Sequence, residues 1–212
     1  MIHAYDKTYL SRAQTSLGRM LDFAVHDLGY ELADFFSLFL RSGVADDIER
    51  GEPEATVGRS GVELAYEVLE RCGVSCERVK PNYSVDRSEE YWTGWALAYY
   101  QWYSARSFSD IIGVTAIEAI RAMYAPYHEM DIRQFVDRMN ELYSDAHPDT
   151  RLKSLRKRAG LSQRELSEFS GVPLRTIQQY EQRQKSINKA QAEYLVQLSQ
   201  VLYCNVAELL ER

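Results

Sequence analysis

The sequence is poor in the residues that build disulfide-linked or metal-stabilised frameworks. Its 212 residues include three cysteines, Cys72, Cys76 and Cys204, an odd number without a Cys-x-x-Cys pair. This pattern argues against a disulfide framework and is typical of proteins of the reducing cytoplasm. The four histidines are scattered along the chain, so a zinc site would lack ligands. We therefore predict no metal, no cofactor and a cytoplasmic location.

Long apolar runs and the common enzyme signatures are also missing. No segment approaches the roughly 20 apolar residues of a membrane span, and the N-terminal sequence MIHAYDKTYL lacks the apolar centre of a signal peptide. Glycine motifs that bind phosphates or dinucleotides are absent, as is the nucleophile elbow of hydrolases. His26 and His128 each have acidic neighbours, but on an amphipathic helix or a turn such groups are weak candidates for acid–base or metal chemistry. We predict that the protein is not an enzyme and does not enter a membrane.

Charge is divided unevenly along the chain. The whole sequence has a net charge of −6. Residues 150–212 contain 11 Lys and Arg against 6 Asp and Glu, a net charge of +5, which leaves −11 for residues 1–149. A basic segment can approach a phosphate backbone, whereas an acidic one is repelled by it. The charge pattern therefore favours nucleic acid as a partner of the C-terminal segment alone.

The hydrophobic pattern predicts an all-α fold. Apolar residues recur at steps of three and four, and no alternating strand pattern of useful length is present. The helices predicted in the N-terminal part are 6–28, 31–40, 46–49, 60–71, 88–105, 107–112, 116–124 and 131–143. Residues 74–87 are predicted to form a loop. The polar segment 144–150 contains Pro148 and is predicted to separate a helical domain, 1–147, from a second domain, 148–212.

Two apolar segments stand out in the N-terminal domain. Residues 35–40 are rich in Phe and Leu, which is typical of a central core helix and also makes them a candidate surface for self-association. Residues 91–103 read YWTGWALAYYQWY, and one stripe of this helix carries Trp92, Trp95, Tyr99 and Trp102. Large aromatic side chains usually pack in the core, but such a stripe is also a candidate surface for a protein partner. A small-molecule site here would need a cavity beside these rings.

The stretch from Leu161, LSQRELSEFSGVPLRTIQQYE, predicts two short helices around a turn. Ser162 and Glu165 have the spacing of a capping box at the start of the first helix. Leu166 and Phe169 recur at helical spacing, so we expect this helix to bury one face that contains both.

A glycine and a proline predict the turn and the start of the second helix. Gly171 suits a position of positive φ, and Pro173 presets the first helical turn. In the second helix Ile177 and Tyr180 lie on one side. The opposite side carries Leu174, Arg175, Gln178 and Gln179. Two short helices, a glycine-containing turn and a polar outer face on the second helix are typical of a helix-turn-helix.

This segment resembles the helix-turn-helix of the phage lambda repressor and Cro type, the Xre family. The matching residues are Leu161, Ser162, Gln163, Glu165, Leu166, Gly171, Val172, Thr176, Ile177, Tyr180 and Glu181. The flanking segments RLKSLRKRAG and AEYLVQLSQVLYCNVAELL resemble the family's first helix and its fourth and fifth helices, so the resemblance implies a five-helix domain. The family usually has Asn-Gly after the glutamate, whereas QRQKS follows Glu181 here. We therefore expect a longer or differently shaped loop.

The resemblance also implies which residues meet DNA, because the N-terminal part of the family's third helix enters the major groove. The implied set is Ser162, Gln163, Leu174, Arg175, Thr176, Gln178, Gln179, Arg183 and Lys185. Arg175 and Gln179 would bond to base edges, and Leu174 would touch a thymine methyl group. Gln163 would meet a phosphate at the start of its helix. The other phosphate candidates are Thr176, Arg183 and Lys185.

The function implied by this resemblance is sequence-specific, DNA-binding regulation of transcription. A single helix-turn-helix reads few base pairs, and such domains bind as dimers to half-sites about one helical turn apart. We therefore expect a repressor that acts as a homodimer on a palindromic operator. The alternative is an antitoxin, in which the acidic, aromatic N-terminal domain binds a toxin and the C-terminal domain represses its own operon. This second resemblance is to the general arrangement of such bacterial proteins and has no motif behind it.

Overall fold

The computed structural model describes residues 3–82 and 87–211, so part of the predicted loop 74–87 lies outside the described residues. Every regular element in the described part is helical, which confirms the all-α prediction. The α-helices are α1 (Lys7–His26), α2 (Leu32–Arg41), α3 (Val44–Glu49), α4 (Gly61–Arg71), α5 (Glu89–Ser104), α6 (Phe108–Val114), α7 (Ile117–Ala122), α8 (Tyr124–Tyr127), α9 (Ile132–Ala146), α10 (Arg151–Arg158), α11 (Gln163–Ser170), α12 (Leu174–Glu181), α13 (Ala192–Val201) and α14 (Val206–Leu209). A π-helical turn occupies Glu54–Gly58 and a 3₁₀ turn Ile187–Lys189. None of the described helices is long and apolar enough to cross a membrane.

The chain divides into two compact units, Met1–Ala146 with α1 to α9 and His147–Arg212 with α10 to α14. We refer to them as the N-terminal unit and the C-terminal unit. Helix α9 runs to Ala146, beyond its predicted end at residue 143, because no Gly or Pro interrupts it before Pro148.

The N-terminal unit is built around its two longest helices, α1 and α5, which pack along each other. Glycines allow the close approach of the two backbones. A Cβ atom on Gly94 of α5 would lie 2.5 Å from the carbonyl oxygen of Leu17, and one on Gly18 of α1 would lie 2.7 Å from the carbonyl oxygen of Tyr91. Because these distances are well inside van der Waals contact, any larger side chain would force the helices apart.

Helix α2 supplies phenylalanines to the centre of the N-terminal unit. Phe35, Phe36 and Phe39 are buried, and the ring of Phe39 packs edge to face on that of Phe108 with centroids 5.3 Å apart. This burial confirms the prediction of a central core helix. The prediction of a self-association surface at residues 35–40 is wrong for these three rings, which are inaccessible to a partner, whereas Leu38 and Leu40 are half-buried.

The aromatic stripe of α5 is divided between core and surface. Trp92 and Trp102 are buried, whereas Trp95 and Tyr99 are half-buried. The division arises because α5 is covered by several helices, among them α1, α7 and α9. The expectation of a continuous partner surface is therefore wrong for Trp92 and Trp102, and only Trp95 and Tyr99 of this stripe present appreciable area to solvent.

All five helices of the C-terminal unit contribute to one small core. Its buried apolar residues are Leu152, Leu155, Leu166, Val172, Ile177, Tyr180, Ile187, Leu198, Leu202 and Leu209. Phe169 is not among them: its side chain is 64% exposed, so the prediction that it is buried beside Leu166 is wrong. The inward position at this end of α11 belongs to Ser170, which is buried and donates its hydroxyl to the carbonyl oxygen of Leu166.

Candidate nucleic-acid interface

Helix α11 begins at the predicted capping box. Ser162 Oγ accepts a hydrogen bond from the Glu165 N–H (3.1 Å), and the Ser162 N–H donates to Glu165 Oε2 (2.8 Å). Hydrogen bonding to the Ser162 backbone lowers the pKa of the Glu165 carboxyl, which stabilises the ionised form at the positive end of the helix dipole. The box is therefore confirmed, and the Ser162 hydroxyl serves as an N-cap.

The turn between α11 and α12 is held by glycine and by two serines. Gly171 ends α11 with φ at 72°, in the left-handed region that favours glycine. Ser167 Oγ donates to the carbonyl oxygen of Val172 (2.7 Å), and Ser170 Oγ accepts from the Val172 N–H (3.3 Å). These bonds set the angle at which α12 leaves the turn. The sequence pattern indicates the glycine but not the serines, because serine is an ordinary residue of a polar helix face.

Helix α12 turns one side into the core and the other toward solvent. Ile177 and Tyr180 are buried. The exposed or half-buried side chains of the outer side are Leu174, Arg175, Thr176, Gln178 and Gln179. Within residues 3–82 and 87–211, the side chains of Arg175, Gln178 and Gln179 have no hydrogen-bond partner. Their donors and acceptors are therefore available to a ligand.

A buried ion pair joins α10 to the end of α12. Arg156 Nε and Nη2 donate to the two carboxylate oxygens of Glu181, at 2.6 and 2.8 Å. Arg156 Nη1 donates to the carbonyl oxygen of Leu161 (2.7 Å), so all three nitrogens of the guanidinium are used. The hydrogen bond to Glu181 raises the pKa of Arg156. The pair fixes α12 relative to α10. In the sequence, the only indication of this role is that Glu181 matches the family motif.

Gln163 belongs to the same network. Its Nε2 donates to Glu181 Oε2 at 2.7 Å, so its amide nitrogen is engaged within the domain. The unpaired backbone N–H groups of the first turn of α11 lie at the same end of that helix. A phosphate at this end would therefore meet backbone donors beside a side chain that is already oriented.

The loop after α12 turns at an arginine in the position where the family usually has glycine. Arg183 adopts a φ of 58°, which residues other than glycine rarely do. Its Nη2 donates to the carbonyl oxygen of Pro148 (3.2 Å), and the Lys185 N–H donates to the carbonyl oxygen of Gln179 (3.1 Å). Both side chains are exposed, so the QRQKS segment brings two cations to the end of α12.

The histidine groups considered for catalysis or metal binding are not assembled into sites. His26 Nε2 lies 2.8 Å from Glu90 Oε2, while Asp22 accepts a hydrogen bond from Ser88 instead. His128 stacks on Tyr124 with ring centroids 4.2 Å apart. Among the described residues there is no group of three His, Cys, Asp or Glu that could hold a metal ion.

Comparison with known proteins agrees with this geometry. Residues 152–209 match the family model described as Helix-turn-helix, and the match leaves the N-terminal unit without a recognised family. Comparisons with curated proteins and with solved structures found no match. Residues 152–209 are therefore a helix-turn-helix domain of the lambda repressor and Cro type, the DNA-binding class that the sequence predicts.

Proposed function

We propose that the protein is a sequence-specific transcriptional regulator that binds double-stranded DNA through α12. The observation that carries this proposal is the two-sided character of that helix. Ile177 and Tyr180 anchor it in the core, while Arg175, Gln178 and Gln179 have no partner within the described residues. A rigidly held helix with unused polar groups on its outer side suits the major groove of DNA.

Arg175 and Gln179 are the proposed base-reading residues. An arginine can donate two hydrogen bonds to O6 and N7 of guanine, and a glutamine can bond to N6 and N7 of adenine. Leu174 would contact a thymine methyl group, and Gln178 would bond to a neighbouring base or phosphate. The net charge of +5 over residues 150–212 supports a phosphate-rich partner.

The proposed phosphate contacts surround this helix. On one side are Ser162 and Gln163 at the N-terminus of α11, where free backbone N–H groups would donate most of the hydrogen bonds to the phosphate. The others are Thr176 at the start of α12 and the exposed Arg183 and Lys185 after its end. Such contacts fix the position of the protein on DNA and carry no sequence information directly.

The test is a pair of substitutions measured on the operator and on unrelated DNA. An operator would first be selected from random duplexes with the full chain, and affinities would be measured by fluorescence anisotropy. Arg175→Ala should weaken operator binding by about 1–3 kcal/mol and leave non-specific binding nearly intact. Lys185→Ala should weaken both and reduce the salt slope by about one unit.

The control for loss of positive charge is Arg158→Ala, at an exposed position at the end of α10. It should affect both kinds of DNA slightly and equally. If Arg175→Ala instead lowered affinity by the same factor for every sequence, α12 would not be the helix that reads bases.

We infer further that the protein is a repressor that acts as a homodimer on a palindromic operator. The support is an apolar groove of the C-terminal unit, which includes Leu161, Phe169, Val201 and Tyr203. Phe169 is 64% exposed and Tyr203 is 96% exposed. Tyr203 also holds a φ of 50°, which is unfavourable for a residue with a side chain. A second copy of the same groove, related by a two-fold axis, would cover these rings.

Sedimentation equilibrium of the full chain tests the dimer. Tyr203→Gly should weaken self-association because the ring is lost, yet raise the free energy of unfolding by about 1 kcal/mol because glycine relieves the unfavourable φ. Val79→Ser, at an exposed apolar position of the N-terminal unit, is the control and should leave association unchanged. A wild-type protein that stays monomeric on its operator would contradict the dimer.

The acidic character of residues 1–149 supports a second candidate, an antitoxin whose N-terminal unit binds a basic toxin. Association of this kind would add protein binding by residues 1–147 to DNA binding by residues 148–212. Mass spectrometry of what co-purifies with the protein from its native host would test it. Recovery of the protein without a stoichiometric partner would favour the simple repressor.

A further inference from the structure

A cavity in the N-terminal unit lies between the start of α5, helix α8 and the start of α9. Its volume is about 240 Å³, slightly below the usual range of ligand pockets, so it suits a compact ligand. Its wall is dominated by the rings of Tyr91, Trp92, Trp95, Tyr124, Tyr127 and His128. Met130 also lines it and is 48% exposed, which is unusual for so apolar a side chain.

The tryptophans of α5 differ in how their indole N–H groups are used. Trp102 Nε1 donates to the carbonyl oxygen of Tyr5 at 2.9 Å, which is how a buried indole is normally satisfied. Trp92 is only 8% exposed and lines the cavity, yet its Nε1 has no hydrogen-bond partner among the described residues. The same holds for Trp95. The indole N–H groups of two residues that line the cavity are therefore not used by any described residue and are available to a ligand.

Arg87 adds a positive charge to this wall. Its guanidinium lies over the ring of Tyr91, 4.9 Å from the centroid, and it forms no ion pair with a described residue. No described residue that lines the cavity is Asp or Glu. The wall thus combines flat apolar faces with several hydrogen-bond donors and one exposed cation that has no ion-pair partner among the described residues.

Core packing explains only part of this arrangement. Trp92 packs on Phe135 and Tyr124 with ring centroids 5.4 and 5.8 Å apart, as expected of a core residue. Packing alone does not account for an open cavity among these rings, with an exposed guanidinium at its edge. A cage for a cationic ligand is also disfavoured, because Arg87 already occupies the face of Tyr91 and would repel a second cation.

We propose that this cavity binds a small planar aromatic molecule with one anionic group, of the aromatic carboxylate class. The ring would stack among the tryptophan and tyrosine side chains, and the carboxylate would accept hydrogen bonds from Arg87 and from an indole N–H. This site lies wholly within the N-terminal unit, and its occupancy can be measured without DNA. The outcome is therefore independent of the function proposed for the C-terminal unit.

Isothermal titration calorimetry of the full chain with three probes tests the proposal. Indole-3-acetate, indole-3-acetamide and tryptamine share one ring system and are anionic, neutral and cationic. Indole-3-acetate should bind most tightly, the amide about tenfold more weakly because its neutral group accepts weaker hydrogen bonds, and tryptamine more weakly still. Tightest binding by tryptamine, or no heat from any probe at about 1 mM, would overturn the proposal.

Two variants locate the binding in this cavity. Arg87→Gln should lower the affinity for indole-3-acetate about tenfold and leave the affinity for the amide nearly unchanged. Trp95→Phe, at a half-buried position, should weaken all the probes that bind because stacked ring area is lost. If Trp95→Phe left every affinity unchanged, the probes would bind elsewhere and the site would be refuted.

The matched control is Arg78→Gln. Arg78 also lies over a tyrosine ring, 5.2 Å from the centroid of Tyr66, but it does not line this cavity. Arg78→Gln removes one positive charge from the N-terminal unit, as Arg87→Gln does, but away from the cavity. It should therefore leave the affinity for indole-3-acetate as in the wild type. Equal effects of Arg78→Gln and Arg87→Gln would mean that net charge, and not a built site, attracts the anion, and would overturn the proposal.

Discussion

The cores of the two units differ in the side chains and interactions that stabilise them. The N-terminal unit buries many aromatic rings, among them Phe35, Phe36 and Tyr100, around the close contact of α1 with α5. In the C-terminal unit Tyr180 is the one aromatic ring among the described buried residues of the core. There a buried ion pair joins α10 to the end of α12, and a serine hydroxyl of α11 holds the turn that follows it. Hydrogen bonds and an ion pair thus provide part of the stabilisation that packed aromatic rings provide in the larger unit.

The difference extends to the surface. A domain of about 60 residues buries a smaller fraction of its surface than a larger one, so it has less room for every apolar side chain. Among the described residues, the exposed large apolar side chains are Phe169, Val196 and Tyr203 in the small C-terminal unit and Val79 and Met130 in the larger N-terminal unit, where the phenylalanines of α2 are all buried. The small unit therefore presents both the polar helix α12 and uncovered apolar area, the features from which the binding of DNA and of a second subunit is proposed.

The largest effect should come from breaking the ion pair of the C-terminal unit. Arg156→Met leaves the Glu181 carboxylate buried without its partner, which should cost about 3–5 kcal/mol. That is most of the stability of a small domain, so amide hydrogens of residues 152–209 should exchange rapidly while those of α1 and α5 stay protected. Segment-resolved hydrogen exchange of the full chain would measure this.

The double variant Arg156→Met with Glu181→Leu serves as the matched control. It removes both charges and should restore most of the protection, because apolar residues of similar size often replace a buried pair without loss. Equal loss of protection in the single and double variants would mean that the side-chain shapes, and not the charges, stabilise the unit.

A smaller loss should follow from separating the two main helices of the N-terminal unit. In Gly94→Ala the new methyl group would meet the Leu17 carbonyl oxygen at 2.5 Å, so we expect a loss of about 1–3 kcal/mol. Urea unfolding followed by tryptophan fluorescence would measure it, because Trp92, Trp95 and Trp102 all lie in α5.

Gly113→Ala is the control for the same chemical change. A Cβ atom there would meet nothing within 4 Å, so this substitution in α6 should be neutral or stabilising by about 0.5–1 kcal/mol. A Gly94→Ala variant as stable as the wild type would show that α1 and α5 can separate without loss of packing.

The smallest effect concerns the acid stability of the C-terminal unit. Asp149 accepts from Lys153 Nζ and Lys157 Nζ, each at 2.6 Å, and these bonds hold the pKa of its carboxyl below the usual range. Because the folded-state pKa is depressed, the stabilisation is present above the unfolded-state pKa and is lost as the pH falls through the folded-state pKa.

Asp149→Asn should therefore cost about 0.2–1 kcal/mol at neutral pH and less in acid. Urea titrations followed by amide resonances of the C-terminal unit, at neutral pH and at about pH 3, would show the difference. Glu193→Gln, at an exposed position of α13, is the control. A cost for Asp149→Asn that is the same at both pH values would rule out this linkage.

Local signals made much of the fold predictable. Ser162 caps α11 as its spacing to Glu165 predicted, the predicted helices 60–71 and 88–105 start at serines that act as N-caps, and Gly171 turns the chain with the positive φ its residue type favours. Each of these features depends on residues within one helical turn of one another, so one sequence contains all the information needed. The helix-turn-helix was predictable for the same reason, since its motif is continuous in the chain.

Long-range packing was not predictable in this way. The stripe of Trp92, Trp95, Tyr99 and Trp102 looks uniform in sequence, but neighbouring helices bury two of the rings and leave the other two half-exposed. Phe169 has the periodicity of a core residue and is nevertheless exposed, because Ser170 takes the inward position at the end of α11. Helical periodicity identifies a face but not which helix covers it.

By itself the sequence determined that this protein is all-α, that its C-terminal part is a helix-turn-helix domain and that the acidic and basic charges are segregated along the chain. Only the tertiary structure decided that Arg156 meets Glu181, that glycines bring α1 and α5 into contact, and that a cavity lined by aromatic rings lies beside Arg87. The physical reason is the separation along the sequence of the residues that interact. Caps, turns and periodicity depend on residues a few positions apart, whereas buried pairs and cavities depend on which distant segments fold onto one another.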